Sequence, residues 1–156
     1  MPGERDNTAE RELHFARLLN APIELVWKAW TNPEQIKHWW GPDGYTNTIL
    51  KMDLKPNGRW DLIMHSPKGV DYDIKGFFKE IVKHRKIVYE HTSPFRYVAT
   101  IEFESVGKKT QLNWVILFES REYLIETAKT FGVEAGLQQN GERLVVYLAQ
   151  KIFNNK

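Results

Sequence analysis

Hydrophobic and polar positions change period three times along this chain, and each change marks a new kind of element. From Glu12 to Leu19 the pattern is strand-like. Asn20-Ala21-Pro22 then reads as a helix start, with Asn able to cap and Pro suited to the first turn. Ile23, Val26, Trp27 and Trp30 follow at helical spacing. Thr31-Asn32-Pro33-Glu34 repeats the start signal, and Ile36, Trp39 and Trp40 fall on a second short helix closed by Gly41-Pro42.

After that breaker the apolar period becomes two. Candidate strands run over 45–54, 59–65, 70–82, 86–92, 97–106 and 110–118, separated by turn signals such as Lys55-Pro56-Asn57-Gly58 and Ser66-Pro67-Lys68-Gly69. Ala99, Ile101 and Phe103 alternate with Thr100, Glu102 and Glu104, and Leu112, Trp114 and Ile116 with Gln111 and Asn113. This predicts one wet and one apolar sheet face, and the short turns predict an antiparallel meander.

The helical period returns over 133–153, where Leu137, Leu144, Leu148 and Ile152 recur at multiples of three and four. Gly136 and Gly141 interrupt it, each costing about 1 kcal/mol relative to alanine, so both are expected where the helix comes close to the sheet or a ligand. The predicted fold class is α+β: one strand, two short helices, then a curved antiparallel sheet, of about seven strands in all, wrapped around a long C-terminal helix. Such a wrap leaves a cavity at one end unless side chains fill it.

Composition narrows the chemistry. The 156 residues suit a single domain, taken as 11–156 behind a flexible arm over 1–10. Lys and Arg number 22 against 20 Asp and Glu, a net +2 that predicts no nucleic-acid partner. The start is polar and no apolar run is long enough to span a bilayer, so a soluble, cytoplasmic protein without a membrane partner is expected, as a monomer or weak homodimer. Cysteine is absent, the five histidines form no HxxxH pair, and neither a GxSxG serine nor a glycine-rich nucleotide loop occurs. No metal, cofactor or catalytic residue is therefore assigned. Asp71 and Asp73, like Glu102 and Glu104, alternate with apolar neighbours and are expected in solvent, away from any dry acid–base site.

Aromatic residues, 13% of the chain, are the unusual quantity. Trp39 and Trp40 sit side by side in HWWGPDGY, and neighbours on a helix lie about 100° apart, so both cannot centre on one narrow buried stripe. Trp39 is expected to pack inward. Trp40 is expected to lean towards a cavity mouth, ahead of a Gly-Pro-Asp-Gly hinge able to gate entry.

Three stretches, Ala21-Pro22-Ile23-Glu24-Leu25-Val26-Trp27-Lys28-Ala29-Trp30-Thr31-Asn32-Pro33-Glu34, Trp39-Trp40-Gly41-Pro42 and Asp53-Leu54-Lys55-Pro56-Asn57-Gly58-Arg59-Trp60, resemble the family of homologues of the activator of heat shock protein 90 ATPase. That family belongs to the START-like or Bet v 1-like (SRPBCC) helix-grip superfamily. The likeness continues through Gly76, Ile87-Val88-Tyr89 and the Gly136…Arg143-Leu144…Tyr147-Leu148 helix. It implies a deep apolar cavity between sheet and long helix and no shared catalytic residue. Asn57 departs from the glycine usual there, a change that a turn with positive φ tolerates.

On that fold, cavity walls are expected from Trp60, Leu62, Met64, Tyr72, Ile74, Tyr89, Ile101 and Trp114, with Leu137 and Gln138 on the long helix. Trp39, Trp40 and Phe95 would stand at the mouth, and His65 and His91 could orient a polar ligand group. The function expected is non-catalytic binding of a small hydrophobic or aromatic ligand. Two alternatives stay open. One, implied by the resemblance, is a co-chaperone-like domain that binds a heat shock protein 90 homologue and stimulates its ATPase. The other is a cyclase-type enzyme drawing on His65, His91 and Arg59.

Overall fold

The period changes in the sequence become element changes in the computed structural model, which describes residues 8–154. A 3-10 turn at Thr8–Arg11 precedes β1 (Glu12–Leu19), α1 (Ile23–Thr31) and α2 (Pro33–Ile36). Six strands follow: β2 (Thr46–Met52), β3 (Arg59–His65), β4 (Asp71–Val82), β5 (Lys86–Ser93), β6 (Tyr97–Val106) and β7 (Lys109–Leu117). The chain then turns into α3 (Arg121–Phe131) and α4 (Val133–Asn154). Of the arm expected over 1–10, residues 1–7 lie outside the described residues, and Thr8–Glu10 belong to the 3-10 turn.

All seven strands form one antiparallel sheet in the order β1-β7-β6-β5-β4-β3-β2. Consecutive strands from β2 to β7 are neighbours, as a meander requires, and β1 closes onto β7 with Phe15 opposite Trp114. Register shifts interrupt β4 against β5 at Lys75/Gly76 and at Phe78/Glu80, and β2 against β3 at Ile49/Lys51. Such bulges bend and twist a strand, which curves the sheet around its apolar face. Asn57 takes φ 67° in the β2–β3 turn and donates its backbone N–H to Phe78 O at 2.8 Å. Asparagine serves there because its short polar side chain tolerates the left-handed region.

Helix ends differ from the sequence expectation in three places. Asn20 does not cap α1; Pro22 occupies the N-cap, and its carbonyl accepts from the N–H groups of Leu25 and Val26. The second helix is one turn shorter than its apolar spacing implied, with Trp39 and Trp40 on the turn that follows, their N–H groups bonded back to Ile36 O. Third, α3 lies where the sequence reading placed no element; Thr127 is its one fully buried residue, and Tyr123 and Leu124 pack on the core from the same face. Its signals are at its ends. Ser120 caps it by accepting from Tyr123 N, and Gly132 at φ 65° stops it.

The long helix α4 seats on β1 through a glycine. A Cβ at Gly141 would collide with the Phe15 ring, so the helix backbone lies directly against that side chain. Gln138 donates to His14 O at 2.9 Å, and Arg17 pairs with Glu142, fixing the same contact from its edges. None of the helices among the described residues is long and apolar enough to cross a membrane.

Candidate functional site

Strand parity sends Trp60, Leu62 and Met64 of β3 to the concave face, along with Tyr72 and Ile74 of β4, Tyr89 and His91 of β5, and Trp114 and Ile116 of β7. What the connections lay over that face divides the interior in two. At one end Trp30 of α1 meets Trp39 at 4.9 Å and Trp114 at 4.8 Å, both edge to face. Trp40 stands 5.0 Å from Trp60 and 5.7 Å from Trp114, nearly parallel to the latter. This end is filled: a void of about 10 Å³ remains among Trp40, Trp60, Tyr89, His91 and their neighbours.

At the other end the face is left hollow, as a cavity of about 210 Å³. Its floor is Trp40, Trp114, Ile116, Ile74 and Met64, and its roof is Leu137 and Asn140 of α4. Three connections make the rim: Gly41-Pro42 with Tyr45, the Pro94-Phe95 turn, and Thr130–Val133 between α3 and α4. Phe95 and Phe131 face each other across that rim at 4.7 Å, with Phe131 42% exposed. Tyr123 ties α3 to the β5–β6 turn by accepting from Arg96 N at 2.9 Å. A larger depression of about 820 Å³ runs beside α2 and α4, but it is an open furrow lined by polar groups such as Glu34, His38 and Lys151.

One cation holds the first rim segment. Arg143 of α4 donates through Nη1 to the carbonyls of Trp40, Gly41 and Pro42 at 2.8–3.0 Å, and through Nη2 to those of His38 and Tyr45 at 3.2 and 2.9 Å. A planar guanidinium fork is the side chain able to gather five carbonyls, which otherwise would turn towards water. Asn140 adds a bond to Trp39 O at 2.9 Å. The segment HWWGPDGY is thus fastened to α4 along its length. Burial pulls the Arg143 guanidinium below its ordinary value, and Asp43 opposes that effect.

Among the described residues no charged side chain lines the cavity. Its one imidazole, His91, is 7% exposed and places Nδ1 2.6 Å from Phe95 O. A carbonyl only accepts, so Nδ1 carries the proton and Nε2 the free lone pair. Burial lowers the His91 pKa to about 4, so the ring is neutral near pH 7. Tyr97 stacks on His91 at 4.5 Å, and its hydroxyl lies 3.1 Å from that of Tyr89. Burial raises both phenols, Tyr97 to about 12, so both are protonated. Trp114 Nε1 is buried without a partner, as are Trp60 Nε1 and Trp30 Nε1.

Of the residues expected at the site, Trp40, Met64, Tyr72, Ile74, His91, Phe95, Trp114 and Leu137 line this cavity. Seven do not. Trp60, Leu62 and Tyr89 instead border the small void at the filled end. Ile101 and Trp39 are sealed in the core at 0% and 1% exposure, the latter donating Nε1 to Ala29 O at 3.1 Å. Gln138 lies one residue round the helix from Leu137 and turns to β1. His65 corrects a parity error: Met64 faces inward, so its strand neighbour must face out. It bonds Thr48 Oγ1 and Asp71 Oδ1 there, each at 2.7 Å. Arg59 pairs with Asp61 on the same outer side, so the three residues named for cyclase chemistry are not brought together. Trp40 is the inner wall of the cavity, 6% exposed, and not its mouth.

Ile116 and Asn140 were missed, though spacing pointed to each: two residues on from Trp114 and three on from Leu137. The rim residues from the three connections carried no periodic signal.

A family model described as Activator of Hsp90 ATPase homolog 1-like protein matches residues 20–149. A crystal structure of a protein from Nitrosomonas europaea is similar over 92% of this chain and 97% of its own, at 23% identity and TM-score 0.82. A solution structure from Arthrobacter aurescens gives 20% identity over 94% and 90%, with TM-score 0.85. An AHSA1-like protein from Aeromonas hydrophila gives 18% identity over 85% and 91%, with TM-score 0.68. No curated protein matches the sequence. Likeness at these identities speaks for the shared fold alone, a curved antiparallel sheet gripping a long C-terminal helix. The family match spans most of the chain, and the protein belongs to the Activator of Hsp90 ATPase homolog 1-like family.

Proposed function

We propose that this cytoplasmic domain binds a small hydrophobic or aromatic molecule, without catalysis, in the cavity between the sheet and α4. The observation that carries the reading is an apolar hollow of about 210 Å³ set beside an interior otherwise filled by indole rings. A cavity of about 150 Å³ already admits benzene, so the volume suits one substituted ring. Aromatic walls with a few convergent polar groups are the usual make-up of such sites.

Trp40 and Trp114 line the cavity, so intrinsic fluorescence reports its occupancy. The test is a screen of one-ring compounds by Trp fluorescence and native mass spectrometry, on wild type and on Ile116→Phe, which fills the hollow. Binding by wild type that is lost in Ile116→Phe supports the proposal. Binding unchanged in that variant, or no bound compound in either, removes it. The description of the family supports a second reading, stimulation of a heat shock protein 90 homologue. An ATPase assay with the chaperone of the same organism decides it, and an unchanged rate would end it.

A further inference from the structure

The cavity holds hydrogen-bonding capacity that the protein itself does not use. Trp114 is 2% exposed, lines the cavity and has no acceptor for its Nε1–H. Tyr89 and Tyr97 own two hydroxyl protons but share one hydrogen bond, so one O–H is left to donate. His91 Nε2 has a lone pair and no donor, since Nδ1 is committed to Phe95 O. The three are neighbours: His91 stacks on Tyr97, and Trp114 closes the same floor. Tyr97 and His91 line the hollow, so a hydroxyl donor and a ring acceptor stand at its wall with no formal charge between them, whereas the sealed Trp114 N–H does not open onto it.

A buried donor or acceptor left unmatched is costly, so a ligand fits best when it answers each of them. Carboxylates and ammonium groups are disfavoured, because an ion would lose its hydration with no counter-charge on the wall. A planar ring also suits walls built of Trp40, Phe95, Trp114 and Tyr97.

Resting on the ligand-binding reading above, we infer that the cavity selects an uncharged aryl carbonyl compound that also bears a hydroxyl, its carbonyl oxygen accepting from the Tyr97 hydroxyl and its hydroxyl donating to His91 Nε2. Charge complementarity and hydrogen-bond count, beyond apolar area, then set specificity.

The test compares four one-ring probes at pH 7 by Trp fluorescence and calorimetry: 4-hydroxyacetophenone, acetophenone, ethylbenzene and 4-hydroxybenzoate. Each matched hydrogen bond is worth about threefold to tenfold. The order expected is 4-hydroxyacetophenone, then acetophenone, then ethylbenzene, with a span of at least about tenfold, and 4-hydroxybenzoate weaker than all three. Tyr97→Phe keeps the ring and removes the donor. It should narrow the gap between acetophenone and ethylbenzene while leaving ethylbenzene, which makes no hydrogen bond, within about twofold, which also shows that the variant is folded. Equal affinity for ethylbenzene and 4-hydroxyacetophenone, or tightest binding of 4-hydroxybenzoate, overturns the inference and leaves the apolar-ligand reading standing. Absence of binding by all four overturns both.

Discussion

The two ends of this interior share one sheet face, one strand parity and one long helix, yet one is solid and the other hollow. At the solid end α1 delivers Trp30 onto Trp114, and the turn after α2 sets Trp39 against Trp30 and Trp40 against Trp60 and Trp114. At the hollow end the connections deliver Gly41, Pro42, Pro94 and Gly132, whose small or rigid side chains cannot reach the floor. Trp40 and Trp114 are the partition, stacked at 5.7 Å with one edge in each compartment. The sheet thus supplies a uniform apolar surface, and the loops decide where it stays uncovered.

The sharpest break of that contrast is Trp30→Ala. Trp30 meets Trp39, Trp40, Phe103 and Trp114 at ring distances of 4.8–6.0 Å, and its loss should cost about 3–5 kcal/mol in urea unfolding. A cost below about 1 kcal/mol would mean that the indole cluster does not pack as a unit.

His91 gives the hollow end its own signature. Unfolded, the imidazole titrates at 6.5, and folded at about 4, so in that window the unfolded chain binds more protons. Its contribution is fully present above pH 6.5 and is lost as the pH falls towards about 4. The loss amounts to about 3 kcal/mol. Denaturation midpoints across that range should show the slope in wild type and a flatter one in His91→Phe. Parallel slopes would place His91 in water.

Arg143→Met should come next, at about 2 kcal/mol, since it strips a charged donor from five carbonyls. Hydrogen exchange should rise at residues 41–45 and stay unchanged in β5 and β6. Uniform acceleration would show that the guanidinium holds the whole domain and not one rim segment.

The smallest effect separates the ends most directly. Leu62→Phe adds volume where none is free and should cost about 1–3 kcal/mol, whereas Ile116→Phe grows into the cavity and should cost under about 1 kcal/mol. Equal costs would show that the hollow closes in solution.

Much of this arrangement was legible beforehand because it rests on local periodicity. The period of two in Ala99-Thr100-Ile101-Glu102-Phe103 set both the strand and its buried side, and the same rule, applied consistently, separates Met64 from His65. Helix α3 went unassigned although Tyr123, Leu124 and Thr127 share one face and Ser120 and Gly132 mark its ends, because so short a stripe sits in a run of polar residues. Part of the cavity rim escaped for a related reason, since Pro94, Thr130 and Gly132 come from distant connections that share no pattern.

By itself, then, the sequence determined the α+β class, the antiparallel meander, the long final helix and the apolar face, because each follows from side-chain spacing that the backbone reads locally. Tertiary structure alone decided that Trp40 is a partition and not a mouth, that Trp60 and Tyr89 fill space instead of bounding it, and that Arg143 straps HWWGPDGY to α4. These depend on which rings arrive first at a shared volume, and no spacing along one chain segment encodes what another segment brings.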